Sequence, residues 1–394
     1  MAGPADRLAP VRPRVQLALG AALFCLAATA AGPAGSAAKA PLYMSPSGSD
    51  SGRCTRSAPC RSFERAYQVA VAGQTVLVGA GEYDGQQEIG RDSRKTSSRD
   101  VLFRPARGAR PVVGSLDVYG SHIEFRNLRI KRDFYVKCGA DDVTLRASKA
   151  SLFFIRSATN IRILGSEFGP SDTISQIGHT PECPRSPRGI LMDRVYMHDF
   201  TNSSPGKHME CLTVQAASDF VIRHSRFHHC QHFDILFKHR SPVLSSTNVT
   251  IENNWFDHPW PEGSTAIQFS LPASGGTFEN LAIRNNSFAG SLILKDDVTY
   301  RKALVHSNVG NRYGGPCSDD DVDVAYNVWA SGRCGATDRR GSSGFRAPDR
   351  FDFHLKPGAV AINRGHPSSY PRTDIDGQRR PRGGRTDAGA DEAR

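Results

Sequence analysis

The sequence has 394 residues, a formal net charge of +11 at pH 7 and 23% charged residues. Its basic residues are dispersed, which argues against a nucleic-acid partner, and it contains neither a phosphate-binding glycine loop nor the GxSxG motif of serine hydrolases. Beyond the N-terminus no segment is long and apolar enough to span a bilayer. The positive charge favours acidic partners such as uronic-acid polysaccharides, with ordinary surface charge as the alternative explanation.

Residues 1–40 have the pattern of a secretory signal peptide. Arginine residues give a basic region up to Arg14, residues 15–31 are apolar, and Ala40 ends a small-residue cleavage motif. An uncleaved membrane anchor is the weaker interpretation, because the apolar run is short for a membrane span. We therefore expect a secreted, extracellular protein with no membrane span after cleavage.

The cysteines predict disulfides. Of the nine cysteines, Cys25 lies in the signal peptide, which leaves an even number in an oxidising compartment. Pairing of near neighbours predicts the bridges Cys54–Cys60, Cys211–Cys230 and Cys317–Cys334, which leaves Cys138–Cys183. The alternative is a zinc site that uses Cys211, Cys230 and either His228 or His229, although their spacing matches no common zinc template.

Residues 41–110 are predicted to form an N-terminal cap and the first strands. Apolar residues recur at helical spacing from Ser62 to Ala72, and Ser62 can cap this helix. A strand over residues 75–78 follows. A helix in this position would cover the open end of a stack of strands, which would otherwise expose apolar core and unpaired backbone.

Short apolar strands repeat over residues 111–335. The segment His208–Leu212 is followed by the similar segment His232–Leu236, and each leads into a second strand that ends in an aromatic residue. Such repeats predict the coils of a parallel β-helix, an all-β solenoid that forms one domain. The middle coils carry loop insertions, which commonly form a binding face on one side. Residues 336–394 close the stack. We mark the end of a strand in each coil at Asn127, Ala147, Ser166, Arg194, Ser225, Asn254, Asn286, Asn308 and Asn327.

Asparagine at these repeated turns has a physical role. It tolerates left-handed backbone, and its side-chain amide can bond to the same amide one coil away. The sequence therefore predicts that Asn253, Asn254, Asn285 and Asn286 form a structural ladder and do not bind substrate.

Both ends of the mature chain carry recognisable segments. The first runs from Tyr43-Met44-Ser45-Pro46-Ser47-Gly48-Ser49-Asp50 to Gly81-Glu82-Tyr83, and the others cover residues 353–363, 373–381 and 386–392. In these segments the chain resembles secreted bacterial proteins of the pectin-lyase-like superfamily, and the resemblance implies a single-stranded, right-handed parallel β-helix. It does not select a reaction, since this fold hosts lyases, hydrolases and proteins of unknown activity.

Polar residues of the middle coils are predicted to share one outer wall. If Cys211 lies above Ile235, strand alternation points the residues beside them outward. The outward columns would then be His208 with His232, Glu210 with Asp234, Leu212 with Leu236 and Gln268, and Asp193 with Lys238, Ser270 and Lys295. Two imidazoles, two carboxylates and a lysine would meet on this wall.

These groups suit β-elimination on a uronate polymer. The reaction needs a base to take the proton next to the carboxylate, and a cation to neutralise that carboxylate. Lys238, near Arg240 and Lys295, is one candidate base, and His208 or His232 is another. Glu210 and Asp234 could hold calcium, which prefers oxygen ligands. The resemblance implies the same combination, since lyases of the superfamily often pair a Lys or Arg base with calcium.

Other residues complete the prediction. Lys295, Gln268 and Trp260 are candidate substrate-binding residues, and Trp260 lies between two prolines where it could stack on a sugar. We expect a monomer that acts on an acidic polysaccharide. The alternatives are a non-catalytic glycan-binding protein, in which the wall is only a surface ladder, and a glycoside hydrolase that uses Glu210 and Asp234. His224, His228 and His229 are predicted to be polar turn residues, with metal binding as the alternative.

Overall fold

The chain winds into stacked coils, and each strand pairs with a strand one coil away. The computed structural model describes residues 39–204, 208–243, 245–257, 265–270, 275–317 and 319–393. The two large sheets are parallel throughout, and the second sheet contains strands of two faces of the coil. The predicted all-β, right-handed parallel β-helix is therefore confirmed. The predicted signal peptide lies almost wholly outside the described residues.

The first face is one continuous parallel sheet. It runs from the N-terminal cap to the last coils, with one short strand, Thr299–Arg301, pairing beside it. In order across the sheet, its strands are Leu42–Met44, Thr75–Val78, Val101–Pro105, Ile123–Arg126, Asp141–Arg146, Thr159–Leu164, Arg188–Asp193, Ser218–Arg223, Ser245–Glu252, Thr277–Arg284, Ala303–His306 and Val322–Ala325.

The second and third faces begin with two long shared strands, Gly81–Ile89 and Pro111–Val118. The second face continues with Arg129–Ile130, Lys149–Ala150, Glu167–Phe168, Tyr196–Phe200, Arg226–Cys230, Trp255–Phe256, Ser287–Phe288, Val309–Gly310, Val328–Trp329 and Arg339–Arg340. The third face continues with Asp133–Val136, Leu152–Arg156, Ser175–Gly178, Glu210–Val214, Phe233–Lys238, Thr265–Ser270, Ser291–Leu294 and Arg312–Gly314. An antiparallel pair, Phe345–Ala347 and Asp352–Leu355, flanks the 3-10 helix Pro348–Arg350.

Alternation along each strand fills the interior. In the strand Leu152–Arg156, Phe153 and Ile155 are buried and the other side chains are partly exposed. Because the coils are in register, inward residues of one type stack: the rings of Phe237 and Phe269 lie 4.4 Å apart and nearly parallel. The core is therefore a set of columns, each perpendicular to the strands.

The N-terminal helix covers the first coil. It spans Phe63–Val69, and the Ser62 side chain accepts a hydrogen bond from the backbone N–H of Arg65 at 3.1 Å, so the predicted cap is confirmed. Phe63 is fully buried and stacks on Phe103 at 5.4 Å. The helix ends before the predicted Ala72, because the backbone is already extended at Ala70.

A ladder of buried asparagines runs through the turn between the first and second faces. The Asn254 side-chain amide donates to Asn286, Asn286 donates to Asn308, and Asn308 donates to Asn327, each at 3.0 Å. Half of the predicted ladder was wrong. Asn253 and Asn285 adopt left-handed backbone instead, and their amides donate to carbonyls of the C-terminal segment, at Thr373 and Asp387. The strand ends that were predicted at Asn127, Ala147 and Arg194 also lie one residue before the ladder, where the backbone is left-handed.

Replacement of one ladder residue should destabilise the whole stack. Asn286→Ala removes the donor to Asn308 and to the Ile251 carbonyl, and the acceptor for the Asn254 backbone N–H. We expect the free energy of unfolding to fall by about 1–3 kcal/mol, because buried polar groups lose their partners. Urea unfolding measures this. Gln68→Ala is the control, since its bond to Glu64 is exposed and alanine suits the helical backbone there, and an equal loss in both variants would contradict the prediction.

All four predicted disulfides are present. They join Cys54 to Cys60, Cys138 to Cys183, Cys211 to Cys230 and Cys317 to Cys334. The alternative zinc site that uses Cys211 and Cys230 is therefore excluded, because both sulfurs are bonded to each other. Bridges of this kind form in oxidising compartments, which is consistent with secretion. Within the described residues, we find no helix with the length and apolar character of a membrane span.

A buried histidine gives the fold a defined acid sensitivity. The His239 ring stacks on Phe278 at 4.4 Å, its Nε2 lies 2.9 Å from the Ser246 hydroxyl, and burial lowers its pKa to about 4. In the unfolded chain the pKa returns to about 6.5. The folded state therefore binds fewer protons than the unfolded state as pH falls from 6.5 to 4, and stability is lost in that window.

The expected loss is up to about 3 kcal/mol, the free-energy equivalent of the difference between these pKa values. Urea unfolding between pH 4 and 7 should show a flatter dependence on pH for His239→Gln than for the unmodified chain. Parallel curves for the two proteins would show that His239 does not titrate in this way.

Candidate functional site

The outer surface of the third face carries a column of basic and amide side chains. Arg156 pairs with Gly178 in the next coil, Gln215 and Lys238 follow the paired residues Val214 and Phe237, and Lys238 pairs with Ser270. Adjacent coils lie about 4.8 Å apart. We call this set the basic column: Arg156, Gly178, Gln215, Lys238, Ser270 and Lys295.

Neutral groups hold Arg156 in place. Its guanidinium donates to the side-chain oxygen of Gln215 at 3.3 Å and to that of Gln176. No carboxylate within the described ranges forms an ion pair with it, so its charge is fixed in position without being neutralised. Burial is the largest cause that lowers the pKa of Arg156, and the positive charge of Arg240 contributes. A fixed, uncompensated guanidinium is suited to a carboxylate ligand.

Gly178 leaves room for the Arg156 side chain to extend across one coil to Gln215. It occupies the coil between Arg156 and Gln215, and a Cβ placed on it would lie 2.5 Å from the Gln215 side-chain oxygen and 2.8 Å from its Cβ. Any side chain at this position would displace the carboxamide that accepts from Arg156. Glycine is therefore required here by a close approach of side chains, since only its backbone leaves the path free.

An aromatic pair lies beside the basic column. The rings of Tyr135 and Phe154 are 5.1 Å apart, and both are partly exposed. The Lys137 ammonium lies 3.4 Å from the centre of the Tyr135 ring and pairs with Asp117 at 2.8 Å. Such a platform can carry the apolar face of a sugar ring, while the neighbouring cations meet its charged groups.

A groove of about 650 Å³ adjoins this platform. Its walls include Phe154 from the third face, Asp199 from the second face and the loop Pro170–Thr173. The volume is within the range of small-ligand sites. The groove, the aromatic pair and the basic column together form the candidate functional site.

The structure brings several of the predicted residues to this site. Lys238 and Lys295 belong to the basic column and are exposed, and Gln268 lies on the outward side of the neighbouring strand Thr265–Ser270. Arg240 is exposed and close enough to Arg156 for the two charges to repel. The substrate-binding prediction for Trp260 lies outside the described residues.

His208 and His232 form a close pair, as predicted. Their ring centres are 3.8 Å apart, with His208 exposed and His232 partly buried. Burial, followed by the charge of His208, lowers the pKa of His232, so this imidazole is neutral at pH 7. A neutral imidazole can accept a proton, which keeps His232 as a candidate base.

The predicted pairing of Glu210 with Asp234 is wrong. Asp234 is completely buried, and the charge of Asp257 affects its pKa, whereas Glu210 pairs with Phe233 and is affected by His208 and Lys238. Burial raises the pKa of both carboxyl groups, that of Asp234 most strongly. The two residues therefore do not form the acid and base of a hydrolase, nor do they form one outward column.

The cause is a slip of one residue in the predicted register. Leu212 pairs with Ile235, so Cys211 lies above Asp234 and not above Ile235. Packing sets this register, because Leu212 and Val214 must both point inward, in line with Ile235 and Phe237. A shift of one residue exchanges the inner and outer sides of a strand. Asp193 was also misplaced, since its strand belongs to the first face.

These positions do not fit the predicted calcium site. Calcium takes six to eight oxygen ligands in protein sites, and Glu210 and Asp234 do not converge. Three other groups of metal-ligating side chains occur within the described ranges, and each includes a histidine: His228 with His229 and Asp257, Asp100 with His122 and Asp142, and His354 with Asp376 and Asp391. The chain thus has acidic groups that could hold a metal, at positions other than the predicted ones.

The hydrogen-bonded part of the site around Arg156 was not predicted from the sequence. Arg156, Gln176 and Gln215 were not singled out, because their side chains meet across 20 and 59 residues of chain. The aromatic pair Tyr135 and Phe154 gave one available signal. Both rings alternate with buried residues, so they had to face outward.

Comparison with known proteins agrees on the fold. No protein-family model matches the chain, and no curated protein matches it. Pectate lyase Pel9A is similar over 90% of this chain and 97% of its own, with a TM-score of 0.50 and 14% identity. A rhamnogalacturonan lyase gives a TM-score of 0.39 and 13% identity over 77% and 90% of the two chains.

A GH136 lacto-N-biosidase from Eubacterium ramulus is a further similar structure. It has a TM-score of 0.43 and 12% identity, with coverage of 72% of this chain and 67% of its own. At these identities a likeness shows the fold alone, and of these three structures Pel9A has the highest TM-score. It confirms the parallel β-helix and the resemblance at the level of the fold.

Proposed function

We propose that this chain binds an acidic polysaccharide along the third face and cleaves it by β-elimination. One observation carries the proposal: the Arg156 guanidinium is held between two neutral carboxamides, next to an aromatic pair and in line with Lys238. A site for neutral sugar would not need a fixed, uncompensated cation. The similarity to pectate lyase Pel9A supports a polysaccharide substrate without identifying it.

The proposed roles follow from position. Arg156 and Arg240 pair with the uronate carboxylate, which lowers the energy of the carbanion that forms beside it. Lys238 takes the proton from the carbon next to the carboxylate, with His232 as the alternative base. The released electron pair forms a carbon–carbon double bond, the bond to the glycosidic oxygen breaks, and that oxygen takes up a proton. Lys295 and Gln268 bind the polysaccharide on the side of Lys238 that faces away from Arg156.

Incubation with pectate, alginate and glycosaminoglycans, with and without a chelator, tests this proposal. A lyase produces an unsaturated product, whose double bond is conjugated with the carboxylate and absorbs at short ultraviolet wavelengths. New reducing ends without this absorbance would identify a hydrolase, and binding without either product would identify a glycan-binding protein. Both of these outcomes would overturn β-elimination, and the absence of any binding would overturn the whole proposal.

A further inference from the structure

The second face carries a cluster of histidines and aspartates to which the proposed function assigns no role, although one member, Asp199, borders the groove. It comprises His198, Asp199, His228, His229 and Asp257, and we call it the imidazole cluster. His198 and His228 are paired in adjacent coils, and Asp257 follows the next strand of the same face, Trp255–Phe256. Three successive coils therefore contribute to one patch of surface.

Backbone conformation brings neighbouring residues to the same side of the strand. Alternation would send His228 and His229 to opposite sides. His229 instead has a left-handed φ of 51°, and the corresponding residue one coil away, Asp199, has a φ of 56°. As a result, the rings of His228 and His229 stack with their centres 3.7 Å apart.

We propose that His228, His229 and Asp257 bind a divalent transition metal ion, with zinc as the best match. One ligand atom of each residue lies within 4.8 Å of the other two. A tetrahedral zinc ion brings its ligand atoms to roughly 3.4 Å apart, which small side-chain rotations here can reach. Two imidazoles and one carboxylate suit zinc better than calcium, because calcium prefers oxygen ligands only.

The surroundings of the three ligands support a metal site. Asp199 Oδ1 lies 3.1 Å from His229 Nδ1, and a carboxylate in this position orients a histidine whose other nitrogen binds a metal. His228 Nδ1 and Asp257 Oδ2 are 2.5 Å apart, and the ion would replace the proton that they share. The His229 side chain is half exposed, so the ion can enter from solvent.

The interior behind Asp257 gives an independent observation. Asp234 is fully buried, and neither of its carboxyl oxygens has a hydrogen-bond partner in the described part of the chain. The carboxyl group of Asp234 therefore has no polar partner of its own among the described residues. A divalent ion at Asp257 would place positive charge beside it.

Metal titration of the untagged, chelator-treated protein tests the inference. We expect one equivalent of zinc to bind and to raise Tm, and cobalt in its place to give the visible absorption of a tetrahedral site. His229→Ala and Asp257→Asn should abolish stoichiometric binding. Asp199→Asn should weaken it by about 10–100-fold, as is typical when a carboxylate behind a histidine ligand is lost.

A control histidine lies on the same segment. His224 bonds to Asp193 and takes no part in the imidazole cluster, so His224→Gln should bind zinc as the unmodified chain does. If the unmodified protein takes up no zinc, or if His229→Ala binds it equally well, the inference is wrong. Unfolding curves of the variants without metal separate lost ligands from lost folding. The result does not depend on whether the third face cleaves polysaccharide.

Discussion

Lys238→Ala should lower kcat on a uronate polymer by about 10²–10⁴-fold, the usual contribution of a positioned general base. The side chain is exposed at the end of the strand Phe233–Lys238, so its removal leaves the core columns unchanged. We therefore expect the same circular dichroism spectrum and the same Tm. Initial rates of formation of the unsaturated product measure the effect.

Two further variants separate proton transfer from binding. Arg156→Met removes the fixed cation and should raise KM and lower kcat together, because the carboxylate is bound in the ground state and carries more charge in the transition state. Lys356→Ala, which changes an exposed lysine of the closing segment, is the matched control and should leave both constants unchanged. Turnover of Lys238→Ala within a few-fold of the unmodified protein would assign the base to another residue, with His232→Gln as the next variant to measure.

Arg380→Ala should cost about 3–5 kcal/mol of the free energy of unfolding, which is the typical effect of breaking a buried ion pair on one side. The Arg380 side chain is 0% exposed and lies 2.9 Å from Glu392, which is 1% exposed. The same guanidinium donates to the Gly389 carbonyl at 2.8 Å and to the side-chain oxygen of Asn253 at 3.3 Å. It thus ties the closing segment to the turn of a central coil.

Hydrogen exchange should show which segment loses stability in this variant. In Arg380→Ala, amides of residues 386–392 should lose protection first, because Glu392 then remains buried without a counter-charge. Arg379→Ala is the control, since this neighbouring arginine is exposed and should change stability by less than about 0.5 kcal/mol. The double variant Arg380→Met with Glu392→Met should recover part of the loss, because neither member of the pair then remains buried without the other. A loss below about 1 kcal/mol in the single variant would show that the pair contributes little.

The class of fold, the capping helix and the disulfide pairs could all be predicted from the amino-acid sequence. These features depend on local signals: alternation within a strand, a serine that caps the helix, and the separation between cysteines. The ladder at Asn254 and Asn286 belongs to the same group, since asparagine at a turn has a local reason to be there. The pair His208 and His232 was also predicted, because the two segments look alike.

The residues that share the outer surface could not be predicted in the same way, because they depend on how the coils pack. Coils of a solenoid differ in loop length, so spacing in sequence does not give the vertical neighbour. The inward packing of Leu212 and Val214 fixed the register, and this placed Glu210 opposite Phe233 and not opposite Asp234. The same packing brought Arg156 to Gln215 across an intervening glycine. The sequence of a strand thus predicts which residues form it. The packing of the core sets which residues lie beside them in the adjacent coil, because burial acts on whole columns of side chains.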